Sequence, residues 1–333
     1  MATEWETLSP EFIRLEIAKK KFCVVGDVVI DHYRMLKATR LSPEAPVPIF
    51  QPAGEKFIAG GAANVANNLM ALGAGKVVLV SAVGEDWDSY WPRTGCACDT
   101  RVVKVKGRRT VIKERLVART QHIARIDPAD GQPFVSAFDS ASLIALSEEA
   151  LKDADVVVFS DYDHGAMPES TVLAVKEMIK GKTTVVDSKA KDTLFKYREC
   201  TIVLPTYKDA VNFTGLYEYN EHDVAKFLLK SMRLQAVGLK MGPKGILLLT
   251  QKGAETFPAT RTDDEIVDVT GAGDTVAATT AVGLSLGMSF ENCMWLSNVA
   301  AGIVVHKQGT ATVSLDELLG TANETARRHN GQK

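Results

Sequence analysis

The segment best suited to chemistry is Asp268-Val-Thr-Gly-Ala-Gly-Asp274, which precedes a run of small residues. A glycine-rich turn that opens a closely packed helix leaves the amides of Gly271, Ala272 and Gly273 at the helix N-terminus, where the dipole favours anions. Asp274 could then accept a hydroxyl proton while the amides hold the charge of a migrating phosphoryl group. This would be a complete arrangement for phosphoryl transfer. Taken alone, the motif favours the structural alternative, a capped helix whose Asp274 complements the dipole; the segments below favour phosphoryl transfer.

Two further segments offer groups for a sugar. The segment Gly60-Gly-Ala-Ala-Asn64 opens another predicted helix, and backbone exposed at Gly60 and Gly61, with the Asn64 amide, suits sugar hydroxyls. A tight helix start with a satisfied Asn is an equally good interpretation. Asp31 lies on the C-terminal side of the first predicted strand, where a carboxylate can accept two hydroxyl hydrogen bonds. Asp27 is more typical of an acid that caps local backbone.

Composition and spacing exclude several classes. With 39 Lys+Arg against 41 Asp+Glu, the chain lacks the basic excess of a nucleic-acid binder. No apolar run reaches the roughly 18 residues of a membrane span, the N-terminus is acidic, and the five cysteines form no zinc or redox spacing. No Gly-x-Gly-x-x-Gly follows the first strand, which removes the main support for a nicotinamide enzyme. We expect a cytoplasmic protein without nucleic-acid or membrane partners.

The elements that must position these residues follow an alternating pattern. Apolar, β-branched runs predict buried strands at 22–26, 76–81, 155–160, 183–187, 201–204 and 236–239. Helical spacing of apolar residues lies between them, at 61–72, 137–152, 168–180 and 221–232. Such alternation predicts an α/β fold with a mainly parallel sheet covered on both faces, and a site at the C-terminal ends of its strands. We expect one domain over residues 1–333.

Two stretches break this alternation. Residues 33–57 contain four prolines among apolar residues, and residues 101–126 alternate apolar and charged residues around a Gly-Arg-Arg turn. The second stretch is typical of antiparallel strands with exposed charged faces. Together they predict a small β-flap that projects from the main sheet.

Taken in order, the three chemical segments resemble the ribokinase (PfkB-type) family of sugar kinases over about residues 21–325. The resemblance implies a ribokinase-like fold and ATP-dependent phosphorylation of a sugar or anomeric hydroxyl, with Mg²⁺. It implies Asp274 as the general base and the amides of Gly271–Gly273 as the anion hole.

A narrower resemblance, to the heptose-phosphate kinases of lipopolysaccharide core synthesis, rests on the proline-rich segment 40–48, on 60–66 and on Ser160-Asp-Tyr162. It implies D-glycero-D-manno-heptose 7-phosphate as substrate, phosphorylated at its anomeric hydroxyl. It also implies a flap that covers the sugar and forms a homodimer interface. Because the sequence ends at Lys333, without room for the nucleotidyltransferase domain of some members, it is similar to the stand-alone kinases.

The resemblance also implies nucleotide contacts. Lys189 would meet the ATP phosphates, Gly242 and Gly245 would form a turn beside the nucleotide, and Asn298 would lie near adenine. Asp268 corresponds to a position tied to a monovalent cation such as K⁺, and an ordinary loop acid is the alternative.

Three departures from the family pattern leave alternatives open. The family's Asn-x-x-Glu, which organises Mg²⁺ and phosphate, is here Thr206-Tyr-Lys-Asp209. The usual lysine after Ser-Asp-Tyr is replaced by His164. The segment after Asp86 is too short for the usual helix. The substrate could therefore be another sugar, a sugar phosphate or a nucleoside. A sugar- or nucleotide-binding protein that has lost catalysis is the alternative from another class.

Overall fold

A computed structural model describes residues 9–119, 121–127, 136–190, 193–260 and 266–331. The described residues form two sheets and a set of flanking helices. Residue 120, within the predicted flap, lies outside them, as do the ends of the predicted 1–333 domain.

The strands of the large sheet are β1 (Lys21–Gly26), β4 (Lys76–Gly84), β5 (Asp99–Val105), β8 (Val156–Asp161), β9 (Thr183–Ser188), β10 (Ile202–Val203), β11 (Ala236–Lys240), β12 (Ile246–Thr250) and β13 (Gly253–Phe257). Their order across the sheet is β13-β12-β11-β10-β9-β8-β1-β4-β5. Neighbours from β11 to β5 pair in parallel, and β12 and β13 pair antiparallel at one edge. Each predicted strand of the parallel sheet is confirmed.

Helices cover both faces of this sheet. They are α1 (Pro10–Ile17), α2 (Ala62–Ala71), α3 (Ala137–Leu151), α4 (Glu169–Met178), α5 (Tyr207–Thr214), α6 (Glu221–Ser231), α7 (Ala272–Ser285), α8 (Phe290–Val304) and α9 (Leu315–Gly331). Alternate strand residues feed two hydrophobic cores: Val24 and Val158 pack with α2, α7 and α8, whereas Val25 and Phe159 pack with α3, α4 and α6. Burial on both faces is why these strands are almost wholly apolar.

The flap is the second sheet, and its strands are β2 (Val28–Leu41), β3 (Pro48–Gly61), β6 (Ile112–Ala118) and β7 (Gln121–Ile126). They lie in the order β3-β2-β6-β7. Strand β2 is buried where it leaves the body, at Val28, and exposed at its far end, at Leu41. The predicted flap segment 33–57 therefore lies within one long hairpin.

The second predicted flap segment, 101–126, was too long. Strand Asp99–Val105 pairs in parallel with β4 at the edge of the large sheet, so this part of the flap begins at Ile112. Alternating residues indicate a strand with an exposed side, and an edge strand of the large sheet has the same pattern as a flap strand. After Asp86 the chain forms two short 3₁₀ helices, Trp87–Ser89 and Trp91–Thr94. No helix among the described residues has the length and hydropathy needed to cross a membrane.

Candidate active site

The glycine-rich turn precedes α7, as the sequence predicts. Gly271 is the N-cap residue, with φ of 82°. A Cβ atom there would lie 2.6 Å from Asn64 Nδ2, so both the backbone conformation and the space require glycine. Helix α7 follows with buried Ala and Thr residues, which let it pack closely on α2.

Asp274, in the first turn of α7, is 2% exposed. Its carboxylate accepts a hydrogen bond from the Tyr162 hydroxyl at 2.6 Å and another from Asn64 Nδ2 at 2.8 Å. Burial and the negative charge of Asp187 raise its pKa to about 6, against the opposing effect of these two bonds. A carboxylate with this pKa is ionised at neutral pH and is well suited to accept a proton.

Asn64 is fixed by its own helix. Its side-chain oxygen accepts from Asn68 Nδ2 at 3.2 Å, and the Asn68 oxygen accepts from Thr275 Oγ1 of α7 at 3.1 Å. The sequence predicts Asn64 as a sugar contact; the structure directs its amide to Asp274, so it orients the carboxylate.

Asp27 orders the loop that carries Tyr162. Its carboxylate accepts backbone N–H bonds from Tyr162, His164 and Ala166 at 2.9–3.1 Å. This confirms Asp27 as a backbone-capping acid, and explains how Tyr162 is held beside Asp274.

Asp31 lies at the base of the flap, on β2 beyond the end of β1, and is 4% exposed. It accepts from Arg115 of β6 and from Thr310 Oγ1, which lies between α8 and α9. Gly60 of β3, which pairs with Val29, has no room for a side chain, because a Cβ would lie 2.7 Å from Asp31 Oδ2. Gly61 has φ of 59° and ends β3.

Two lysines flank the Tyr162 ring. Lys189 Nζ lies 3.8 Å from the ring centroid and Lys113 Nζ lies 5.4 Å from it. Burial and the charge of Lys189 lower the pKa of Lys113. Burial and the charge of Lys113 lower the pKa of His164 to about 4, so His164 is uncharged near neutral pH. The sequence assigns Lys189 to nucleotide phosphates; the structure places it beside Tyr162, the partner of Asp274.

A cavity with a volume of about 630 Å³ opens beside the glycine-rich turn. The predicted nucleotide residues other than Lys189 come together in its wall: Thr206, Gly242, Gly245 and Asn298. Gly273, which is predicted for the anion hole, lines the same wall. Apolar neighbours complete it, among them Met241, Pro243, Ile246, Val269, Val276, Ala301 and Val305. An apolar cavity that borders the N-terminus of α7 suits a nucleotide base against its apolar wall and phosphates at the turn. In the turn itself, the Ala272 amide donates to Val269 O at 3.3 Å.

Two residues of this cavity are fixed by neighbouring backbone. Gly245 has φ of 90°, and a Cβ there would lie 1.9 Å from Phe257 O, so the turn excludes any other residue. The Asn298 amide donates to Pro258 O at 2.7 Å.

Sequence reasoning did not find Lys240, which ends β11 and lines the same cavity. Its Nζ lies 2.7 Å from Asp187 Oδ1 of β9, and the pair lies against Gly273. A signal was available, because a lysine that ends a buried strand lies at the edge of the sheet where sites form.

The two predicted metal residues have local partners. Thr206 caps α5 and its hydroxyl donates to Asp209 Oδ2 at 2.6 Å, while Asp209 N donates back to Thr206 Oγ1 at 3.1 Å. Asp268 accepts from the backbone of Thr270 and Gly309 at 2.9 and 3.0 Å; these bonds outweigh its burial and lower its pKa. Across the described ranges, no group of three or more His, Cys, Asp or Glu side chains could hold a metal ion.

Comparison with curated proteins shows related chains. The bifunctional protein HldE of Shewanella amazonensis is 37% identical over 322 residues, which span 94% of this chain and 65% of that protein. The bifunctional protein HldE of Caulobacter vibrioides is 36% identical over 318 residues, 92% of this chain and 64% of that protein. The chain thus spans a little under two thirds of these relatives' length.

Solved structures show the fold. Escherichia coli phosphofructokinase-2 in complex with potassium matches with a TM-score of 0.76 at 16% identity, over 92% of this chain and 99% of that one. Arabidopsis thaliana ribokinase complexed with ribose and ATP matches with a TM-score of 0.67 at 20% identity, over 91% and 98%. Both confirm the ribokinase-like α/β fold that the sequence predicts.

The family follows from the sequence profile. Residues 19–318 match that of the pfkB family carbohydrate kinases, which is most of the chain. This chain belongs to the pfkB family of carbohydrate kinases, and is therefore a sugar phosphotransferase.

Proposed function

We propose that the protein transfers the terminal phosphoryl group of ATP to a hydroxyl of a sugar phosphate, with Asp274 as general base. One observation carries this: the buried Asp274 carboxylate is held by Asn64 and Tyr162 in the first turn of α7, next to the glycine-rich turn and the cavity. A carboxylate that served only the helix dipole would not need two side-chain donors from other elements.

In the proposed reaction the sugar hydroxyl gives its proton to Asp274 while its oxygen bonds to the terminal phosphorus, and the bond to ADP breaks. The amides of Gly271, Ala272 and Gly273 would hold the charge on the transferring group. For Ala272 this requires the amide to leave Val269 O, to which it donates at 3.3 Å. Asp31 and the backbone of Gly60 and Gly61 would hold sugar hydroxyls.

Magnesium fits one carboxylate in particular. Asp187 is 4% exposed, and its Oδ2 has no hydrogen-bond partner. Mg²⁺ usually keeps several waters and takes one or two carboxylates plus substrate phosphates, so the site needs no larger protein cage. When bound, the ion neutralises charge on the phosphates. The roles of Asp209 for Mg²⁺ and Asp268 for K⁺ stay proposals; the potassium complex of phosphofructokinase-2 is consistent with the second.

We infer that the substrate is D-glycero-D-manno-heptose 7-phosphate, phosphorylated at its anomeric hydroxyl. The HldE relatives support this choice, and so does the chemistry near Tyr162. Lys113 and Lys189 supply two positive charges within 5.4 Å of that ring, where they could neutralise the phosphate already on the sugar.

His164 favours the second candidate, a kinase for an unphosphorylated sugar. Its pKa of about 4 leaves it uncharged near neutral pH, at the position where the heptose kinases resembled here carry a lysine. The two candidates differ only in the acceptor.

The test is ADP release from Mg-ATP with heptose 7-phosphate, fructose 6-phosphate, ribose and fructose as separate acceptors. We expect heptose 7-phosphate to give the highest kcat/KM. Preference for ribose or fructose would keep the kinase and replace the substrate. Tight binding of ATP and sugar without ADP release from any acceptor would contradict the proposed function and support a binding protein.

A further inference from the structure

The ion pair between Lys240 and Asp187 lies at the junction of the cavity and the glycine-rich turn. The Lys240 side chain is 12% exposed and the Asp187 side chain 4% exposed, with 2.7 Å between Nζ and Oδ1. A Cβ on Gly273 would lie 3.1 Å from Lys240 Nζ and 3.3 Å from Asp187 Oδ2. Both charges therefore border the amides that form the proposed anion hole.

Burying an ion pair at the end of a strand costs desolvation free energy. Removing two charges from water is compensated only when the remaining donors and acceptors are satisfied. Here the second oxygen of Asp187 has no hydrogen-bond partner, so the carboxylate is incompletely satisfied. Lys240 also lines the cavity wall beside Met241 and Gly242. Structural stability alone does not account for a lysine at this place.

The pair lies among negative charges, and an anion that enters the site would add to them. Asp187 already raises the pKa of Asp274, so two carboxylates share this end of the site. A phosphate chain at the turn would add further negative charge, and it would need cations within hydrogen-bond reach. Lys189 lies over the Tyr162 ring, on the side of Asp274, whereas Lys240 lies against Gly273.

Resting on the proposed function, we propose that Lys240 is a catalytic residue that binds the terminal phosphate of ATP. When ATP binds, the Lys240 ammonium group gives up its hydrogen bond to Asp187 and donates to an oxygen of that phosphate instead. It keeps this second bond during phosphoryl transfer. Asp187 is then left for the magnesium ion. The exchange leaves both side chains neutralised at each stage, and Lys240 neither gains nor loses a proton.

The decisive comparison is between Asp187→Asn and the double variant Asp187→Asn with Lys240→Met. Both lack the Asp187 charge, so they differ only in the lysine, and neither leaves a buried unpaired carboxylate. We would measure their affinity for ATP, and for adenosine, by calorimetry in EDTA, where no magnesium contributes. Lys180→Met is the matched control, because Lys180 pairs with Glu177 at 2.6 Å on the surface of the protein.

We expect the double variant to bind ATP about tenfold to a hundredfold more weakly than Asp187→Asn, the range of a charge-assisted hydrogen bond. Adenosine affinity should be equal in the two variants, and Lys180→Met should match the wild type. In wild-type background, Lys240→Arg should retain more of kcat than Lys240→Met, since it keeps the charge.

Two results would overturn the proposal, and they are distinguishable. Equal ATP affinity in Asp187→Asn and the double variant, with wild-type ATP binding intact, would reduce Lys240 to a neutralising partner of Asp187. Failure of the wild-type protein to bind ATP would overturn both this inference and the proposed function.

Discussion

Asp274 gives the sharpest prediction at the scale of a single residue. Asp274→Asn keeps the shape and can keep the Tyr162 bond but cannot accept a proton, so kcat should fall by about 10²–10⁴. The assay is ADP release at saturating substrates, with thermal unfolding to verify the fold. Asp223→Asn, the same change in the first turn of α6, is the control and should leave kcat unaltered. Unchanged turnover in Asp274→Asn would remove the general base from the mechanism.

The pH dependence of the reaction follows from the same carboxylate. Its pKa of about 6 means that the active, ionised form is lost as the pH falls below about 6. We expect kcat/KM to decline about tenfold per unit there. The hydrogen bond from Tyr162 lowers this pKa, so Tyr162→Phe should move the midpoint of the acid limb to higher pH. A pH–rate profile that is flat between 5 and 7 would contradict the assignment.

At the scale of elements, variants at the start of α5 can distinguish a helix-capping role of Thr206 and Asp209 from a metal-binding role. Thr206 and Asp209 form reciprocal bonds at this helix end. Thr206→Ala should therefore lower the free energy of unfolding by about 1 kcal/mol, the usual effect of losing an N-cap. Denaturant unfolding measures it, with Ser289→Ala, the N-cap of α8, as a comparison.

The magnesium dependence of Asp209→Asn completes that test. If the Asp209 carboxylate only accepts the hydrogen bond from the Thr206 cap, the Mg²⁺ concentration for half-maximal activity stays at the wild-type value while stability falls. A several-fold rise in the Mg²⁺ requirement would place the carboxylate in the metal site, as the resemblance implies.

The elements themselves were largely predictable. Runs such as 155–160 and 183–187 are apolar because both faces of the sheet are buried, so composition alone indicates them. The misplaced segment 101–126 shows the limit, since alternation indicates exposure but not which sheet a strand joins. At the site, the glycine-rich pattern predicted a turn at Gly271 that precedes a helix with Asp274 in its first turn. Sequence could not show that Asn64 points at Asp274, because that contact joins residues 210 positions apart.

For the whole molecule, the flap leads to a prediction about assembly. Strand β7 is exposed along its length, and Ile123 and Ile126 are 43% and 52% exposed. An exposed edge strand with apolar residues is suited to pair with another chain. We propose that two copies associate through the flap, so sedimentation should show a dimer and Ile123→Lys should shift it to monomer.

The matched control is Leu173→Lys, an apolar residue 46% exposed on α4, which should leave the dimer intact. A wild-type protein that sediments as a monomer at assay concentration would contradict the flap interface.

The partners of Asp31 bear on how sugars are selected. In the described structure its carboxylate is already occupied by Arg115 of the flap and Thr310 of the body. If Asp31 holds sugar hydroxyls as proposed, the Thr310 hydroxyl competes with them, because it is chemically equivalent to a sugar hydroxyl. Sugar binding would then be an exchange reaction whose measured affinity is a difference between two sets of bonds. A sugar with one well-placed hydroxyl would only replace Thr310, and a sugar with two would gain net affinity.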